Sequence, residues 1–132
     1  MRYLLDTHVL VHWLEGKARL SREQKRIVDR AGASSPLLIS DITLWEVATL
    51  YELGRIRLRL PLRDWLEAAA APPLVERVGI SPAIAAEVAI LPPTFHRDPV
   101  DRILVATARV FGATLLTNDA RIVEAEIVKT ID

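Results

Sequence analysis

The sequence predicts one α/β domain with a mostly parallel sheet covered by helices on both faces. Short apolar runs alternate along the chain with segments of helical periodicity, and Gly or Pro separates many of them. Such alternation favours parallel strands, because each helix returns the chain to the end at which the previous strand began. The chain has 132 residues and shows no linker or internal repeat, so we expect residues 1–132 to form a single domain.

Five short apolar runs are the predicted strands. They are residues 2–5, 37–39, 74–78, 113–117 and 127–131. Helices are predicted to begin after residues 6, 21, 40 or 41, 61, 81 and 98, with a short helix after residue 119. Two of the helix starts have strong local signals: Ser21 with Gln24 forms a capping-box pattern, and Asp98 precedes a proline at the first helical position.

Composition narrows the class of protein. The chain is 51% hydrophobic and 26% charged, as in compact folded proteins, and it has no cysteine for disulfides or thiolate metal sites. It contains neither a signal-peptide pattern nor an apolar run of about 20 residues, so a cytoplasmic protein without membrane contact is expected. The 17 basic and 17 acidic residues balance, which argues against nucleic-acid binding through overall charge but allows a local basic rim.

Two predicted strands end in an acid that precedes a helix. These acids are Asp6 and Asp119. Because ligands collect at the carboxyl ends of parallel strands, both could serve a site, although each is also a good helix N-cap. Asp98 has a full explanation as an N-cap, whereas Asp101 aligns with the apolar face of its helix and is the better candidate for chemistry.

Glu46 also interrupts an apolar pattern. It shares a predicted helix face with Ile42, Leu50 and Leu53, which should pack on the sheet. A buried carboxylate needs a cation or hydrogen bonds, so function is favoured over a structural salt bridge.

Grouped carboxylates favour a hard cation between them. Oxygen ligands suit Mg²⁺ or Mn²⁺ better than zinc, and such ions assist hydrolysis of phosphodiesters. No phosphate-binding glycine motif is present. His8 and His12 have the spacing of a zinc pair but lack an obvious third ligand, so ordinary helix histidines are the preferred interpretation.

Four stretches together resemble the PIN-domain ribonucleases, above all the VapC toxins of toxin–antitoxin modules. They read Leu-Leu-Asp6-Thr, Ile-Ser-Asp-Ile-Thr-Leu-Trp-Glu46, Asp98-Pro-Val-Asp101-Arg-Ile-Leu-Val-Ala-Thr-Ala and Leu-Leu-Thr117-Asn-Asp119. The resemblance covers nearly the whole chain. It implies a PIN-like three-layer α/β/α sandwich with about five strands and Mg²⁺- or Mn²⁺-dependent cleavage of RNA.

The resemblance also implies roles for particular residues. Asp6 and Asp101 would be the main metal ligands, Glu46 would bind or orient the metal's water, and Asp119 would assist. Water would attack the phosphodiester in line and leave a 5′-phosphate. The position before the last acid, often Arg in the family, is Asn118 here.

Four further residues are candidates for contact with substrate. Thr7 and Thr117 match family hydroxyl positions that contact metal water or phosphate. Arg97 and Arg102 flank the acid pair and could hold phosphates, or could simply be solvated.

The resemblance implies two protein partners, a VapB-type antitoxin and a second copy of the chain in a homodimer. The segment Gly54–Arg59 alternates basic and apolar residues, and could be an RNA or antitoxin contact or a charged edge strand. Two alternatives to an RNA-cleaving toxin stay open: a catalytically silent binding module of the same fold and a structure-specific DNA nuclease of related fold.

Overall fold

The computed structural model describes all residues, 1–132, and contains one five-stranded sheet. Its strands are β1 (Tyr3–Leu5), β2 (Leu37–Ser40), β3 (Val75–Val78), β4 (Thr114–Leu116) and β5 (Thr130–Ile131). Its helices are α1 (Thr7–Glu15), α2 (Arg22–Asp29), α3 (Asp41–Glu52), α4 (Leu62–Ala69), α5 (Pro82–Ala89), α6 (Pro99–Phe111) and α7 (Ala120–Ala125). All five strands predicted from the sequence are therefore present.

All strand pairs are parallel, in the order β3-β2-β1-β4-β5. The first strand lies at the centre, where its Leu4 pairs with Leu38 of β2 and with Leu115 of β4. Because every strand runs in the same direction, β1, β2 and β4 end at one edge of the sheet, and α1, α3 and α7 begin there. This edge gathers the residues that follow the strands.

The sheet separates two apolar cores. Alternate residues of each strand enter opposite cores: Leu4 and Leu115 face one, whereas Leu5 and Leu116 face the other. Helices α5 and α6 pack against the first core, and α1, α2 and α4 pack against the second. The three-layer α/β/α sandwich predicted from the sequence is confirmed, and its sheet is wholly parallel.

Local signals fixed most helix starts. The Ser21 hydroxyl accepts from the Gln24 N–H, while the Gln24 side chain accepts from the Ser21 N–H, which completes the predicted capping box. Ser40 and Ser81 cap α3 and α5 in the same way, through one hydroxyl each. Each such cap satisfies N–H groups that lack a helical partner and stabilises the helix by about 1 kcal/mol.

The basic segment Gly54–Arg59 is not an edge strand, and that alternative was wrong. It belongs to no strand pair, and its last residue, Arg59, instead donates to Glu15 at the end of α1. Glu15 also accepts from the indole of the buried Trp65, so one carboxylate fastens both the segment and α4 to α1. None of the helices has the length and apolar character needed to cross a membrane.

Candidate active site: a carboxylate pocket at the carboxyl edge of the sheet

Asp6 is the most deeply placed acid of the site. It follows β1 and caps α1, and only 6% of its surface is exposed. One carboxylate oxygen accepts from the Thr7 N–H at 2.6 Å and the other accepts from the Thr117 hydroxyl at 2.6 Å. Burial raises the pKa of Asp6, and these two hydrogen bonds oppose the rise without cancelling it. Neutral donors just after β4 and at the start of α1 therefore hold this carboxylate in one orientation.

Glu46 reaches the same site from α3. The residues of α3 that are fully buried are Thr43 and Val47, whereas Glu46 is half-buried and Leu53 is 57% exposed. The prediction that Glu46 packs toward the sheet was therefore wrong, because its helix face lines a cavity. Burial raises the pKa of Glu46, and the charge of Asp6 adds to the rise.

Asp101 lies in the first turn of α6, three residues after the N-cap Asp98. One of its carboxylate oxygens is 2.7 Å from His96 Nε2 and 3.5 Å from a guanidinium nitrogen of Arg121. Burial raises the pKa of Asp101 to about 6, and the nearby charges of Asp6, Asp98 and Asp119 add to the rise. His96 opposes this shift, but the acids and the burial outweigh it.

Asp119 follows β4 and caps α7 by accepting from the Arg121 N–H. Its carboxylate also binds the Arg121 guanidinium, with one contact of 3.1 Å. Burial alone would raise the pKa of Asp119, but the hydrogen bonds and the charge of Arg121 outweigh burial and lower it. Asp119 is thus the one acid of the four whose ionised form the surrounding protein clearly favours.

The four acids predicted from the sequence line one cavity of about 600 Å³. The other residues that line the cavity are a fifth acid, five basic or histidine residues and two uncharged ones: Asp98; His8, His12, Arg19, Arg55 and Arg121; Leu50 and Asn118. The local basic rim that a neutral chain allows is therefore present, with Arg19, Arg55 and Arg121 around the acids. A pocket with this lining suits a ligand that carries both a hard cation and phosphate groups.

The donor set fits a Mg²⁺ or Mn²⁺ ion by its chemistry. Burial is the main reason that the pKa values of Asp6, Glu46 and Asp101 are raised, and the charges of neighbouring acids add to the rise. A divalent cation would offset both effects. The buried Thr7 hydroxyl has no partner within strict hydrogen-bond geometry, but it lies near enough to Glu46 to oppose the rise in the pKa of that carboxyl. No three acids or histidines converge on one point as a finished ligand set, so the carboxylates must turn to ligate one ion.

The proposed substrate contacts fare differently from one another. Thr117 lies in the site, but its hydroxyl is engaged by Asp6 and by the Asp119 N–H. Thr7 is fully buried beside Asp6. Arg97 is exposed and does not line the cavity.

Arg102 is neither a phosphate ligand nor solvated, so both interpretations of it were wrong. Its guanidinium is buried and donates to the carbonyl oxygens of Val88, Phe95 and His96. It therefore fastens the loop before α6 to the end of α5.

Sequence reasoning missed two groups that contact the acids directly, His96 and Arg121. Each lies near a predicted acid, five residues before Asp101 and two after Asp119. That proximity was the only available signal. His8 and His12 lie on α1, as expected of ordinary helix histidines, and they also line the cavity, with ring centres 6.4 Å apart.

The fold and the site define an α/β/α protein with an acid-lined pocket at the carboxyl edge of its parallel sheet. Comparison with known proteins shows which family it belongs to. The PIN domain family model matches residues 3–128. The chain belongs to the PIN-domain family, and the resemblance inferred from its motifs is confirmed. It is 38% identical over 119 residues to Ribonuclease VapC22 of Mycobacterium tuberculosis, covering 90% of this chain and 88% of that protein.

Solved structures of the same fold share little sequence with the chain. VapBC2 from Rickettsia felis, bound to a DNA fragment from its promoter, superposes with a TM-score of 0.71 at 17% identity, over 99% of this chain and 98% of that one. VapBC-1 from nontypeable Haemophilus influenzae gives 0.71 at 16% identity, over 100% and 98%. FitAB bound to the IR36 DNA fragment gives 0.67 at 18%, over 98% and 93%. These likenesses establish the fold.

Proposed function

We propose that the protein is a Mg²⁺- or Mn²⁺-dependent endoribonuclease, the toxin of a toxin–antitoxin pair. The observation that carries the proposal is the convergence of Asp6, Glu46, Asp101 and Asp119 from four different elements on one cavity. The 38% identity to a VapC ribonuclease supports RNA as the substrate, and the basic rim supplies positive charge for its phosphates.

The divalent cation would neutralise charge on the phosphodiester and lower the pKa of the attacking water. Asp6 and Asp101 would hold it, with Glu46 and Asp119 as further oxygen ligands. Thr117 and the Thr7 N–H would keep Asp6 in its orientation. Attack would break the bond between phosphorus and the 3′ oxygen, so the products would carry a 3′-hydroxyl and a 5′-phosphate.

Glu46 would bind or orient the attacking water and could accept its proton. Burial and the charge of Asp6 raise its pKa, and its carboxylate lines the cavity. Arg55 and Arg19 would guide the RNA backbone toward it, since both line the cavity.

Cleavage of total bacterial RNA tests the proposal. The purified protein would be incubated with Mg²⁺, with Mn²⁺ and with EDTA, beside an Asp6→Asn variant. Asn has the shape of the Asp6 side chain but lacks the negative charge that would bind a cation. Discrete fragments with 5′-phosphate ends are expected only for the unaltered protein with metal.

Three outcomes would contradict the proposal in different ways. Fragments that end in 2′,3′-cyclic phosphate would exclude attack by water. Cleavage of DNA but not RNA would favour the nuclease of related fold. A folded protein that neither cleaves RNA nor binds Mn²⁺ would favour the silent binding module.

We also propose an antitoxin of the VapB type and a homodimer as partners, in the cytoplasm. The solved relatives include VapBC pairs. Exposed apolar side chains on and beside α3, Trp45, Tyr51 and Leu53, provide a surface for a protein contact. Light scattering over a dilution series measures the oligomer, and a mass that stays monomeric at every concentration would exclude the homodimer.

A further inference from the structure

Arg121 holds two of the site's acids at once. Its guanidinium lies 3.1 Å from an Asp119 oxygen and 3.5 Å from an Asp101 oxygen. The same Asp101 oxygen also contacts His96 at 2.7 Å, so it already has two partners. Arg121 is therefore the cation that joins α6 to α7 across the cavity.

We propose that Arg121 is an exchangeable counter-ion of the site. Its guanidinium competes with the divalent cation for the oxygens of Asp101 and Asp119, and, once displaced, it binds a phosphate of the RNA. This inference rests on the proposed function. It adds to that function a link between loading of the metal and binding of the substrate.

Competition follows from shared oxygens. A carboxylate oxygen that faces a guanidinium has less charge and fewer lone pairs to offer a metal ion. Asp6 differs, because its partners are neutral N–H and O–H groups that bring no net positive charge to the site. Asp6 can therefore take a metal ion without displacing a cation, whereas Asp101 and Asp119 must first release Arg121.

The surroundings of Arg121 allow the exchange. Its side chain is 60% exposed, while that of Asp101 is only 11% exposed, so the guanidinium is the mobile partner. Arg121 also lines a second cavity of about 340 Å³ beside the first, together with Thr94, His96 and Glu124. Arg121 therefore lies at the boundary of the two cavities, with open space on both sides of its guanidinium.

The cavity provides a matched control for Arg121. Arg55 lines the same cavity and carries the same charge, but it forms no salt bridge with any of the acids. Arg121→Gln and Arg55→Gln therefore each remove one positive charge from the site. Only the first removes a direct partner of the carboxylates.

The first test is a titration with Mn²⁺ in which the concentration of the free ion is measured by electron paramagnetic resonance. Because the substitution removes a positive charge that competes for oxygens of Asp101 and Asp119, Arg121→Gln is expected to bind Mn²⁺ about two- to fivefold more tightly. Arg55→Gln should tighten binding by about twofold at most, through screened charge alone. Arg121→Lys, which keeps the charge but loses the planar fork, should lie between Arg121→Gln and the unaltered protein.

The second test measures binding of a labelled single-stranded RNA oligonucleotide by fluorescence anisotropy, with Ca²⁺ and then with EDTA. Ca²⁺ takes oxygen ligands as Mg²⁺ does. It is chosen to occupy the site while little RNA is cleaved during the measurement. Arg121→Gln is expected to weaken RNA binding about three- to tenfold with Ca²⁺ and little with EDTA, where Arg121 stays on the acids. Arg55→Gln should weaken binding equally in both.

The outcomes separate this inference from the proposed function. Equal Mn²⁺ affinities for the two Gln variants, both folded by circular dichroism, would overturn the exchange even if the protein cleaves RNA. Tighter Mn²⁺ binding by Arg121→Gln alone would support the exchange even if no RNA is cleaved. Failure of the unaltered protein to bind Mn²⁺ would overturn both.

Discussion

The two sides of the carboxylate pocket are held by different kinds of contact. On one side, the buried Asp6 accepts from the Thr7 N–H and the Thr117 hydroxyl, which belong to α1 and to the end of β4. On the other side, Asp101 and Asp119 are held by the side chains of His96 and Arg121. The first side is fixed by groups at the end of the sheet, and the second by two side chains, of which that of Arg121 is largely exposed.

This difference separates what positions a carboxylate from what decides whether it is free to bind a cation. A carboxylate fixed by neutral donors keeps its negative charge available for a cation, and the sheet sets its location. A carboxylate that is paired with a guanidinium, as Asp119 is, must give up part of that contact before both of its oxygens can bind an ion. We therefore expect substitutions on the Asp6 side to affect catalysis most, and those on the Asp101 side to affect stability and its pH dependence as well.

The largest effect is expected for Asp6→Asn. Since Asp6 faces no competing cation, it should be the principal ligand, and its loss should lower kcat/KM for RNA by more than roughly 100-fold. Asp119→Asn should cost less, because Arg121 neutralises Asp119 in the folded chain. Equal losses in a gel-based cleavage assay would contradict the division of the pocket into two sides.

Thr117→Val tests the fixed side of the pocket, and it also removes the oxygen that accepts from the Asp119 N–H. The substitution keeps the shape of the side chain but removes the donor to Asp6, so Asp6 can turn away. We expect cleavage to fall about 10–100-fold, as for other residues that orient a metal ligand. Thr43→Val is the control, because the buried Thr43 hydroxyl has no partner, and its activity should be unchanged.

Arg102→Met tests the support beneath the Asp101 side. Its guanidinium donates to three carbonyl oxygens; those of Phe95 and His96 would lose this donor, whereas that of Val88 also accepts from the Leu91 N–H. We expect the free energy of unfolding in urea to fall by about 2–3 kcal/mol, because unsatisfied buried polar groups are costly. Arg97→Met should change it by less than about 0.5 kcal/mol, since Arg97 is exposed. A fall in RNA affinity without a loss of stability would restore the phosphate role.

The smallest effect is expected for Asp101→Asn, on the free energy of unfolding measured in EDTA. The pKa of Asp101 is raised to about 6 in the folded chain, so the folded state binds a proton that the unfolded state releases near pH 4. Stability from this group therefore rises as pH falls from about 6 to 4 and is lower at pH 7. Asp101→Asn should raise the free energy of unfolding at pH 7 by about 1–2 kcal/mol and flatten this dependence.

Urea unfolding at pH 5 and pH 7 checks that prediction. The unaltered protein should gain stability at pH 5 relative to Asp101→Asn. If the two proteins differ by the same amount at both pH values, the contacts with His96 and Arg121 keep Asp101 ionised, and the Asp101 side is more firmly held than its geometry indicates.

Sequence patterns alone determined the parallel α/β fold, most helix starts and the four acids. Asp6 and Asp119 could be predicted because both follow apolar runs, and the ends of parallel strands meet at one edge. Asp98 and Ser21 were predicted as caps because capping acts over three or four residues. Glu46 was predicted as a site residue and does line the pocket. The reason given for it, that its helix face packs on the sheet, was wrong.

Tertiary structure alone decided what each charged side chain contacts. Arg102 reaches carbonyl oxygens as far as 14 residues away, and Arg121 reaches Asp101 at a separation of 20 residues. Such pairs depend on how α5, α6 and α7 pack, and a long flexible side chain can meet many partners at similar cost. Periodicity fixes the direction of a helix face, but the partner on that face is set by the rest of the fold.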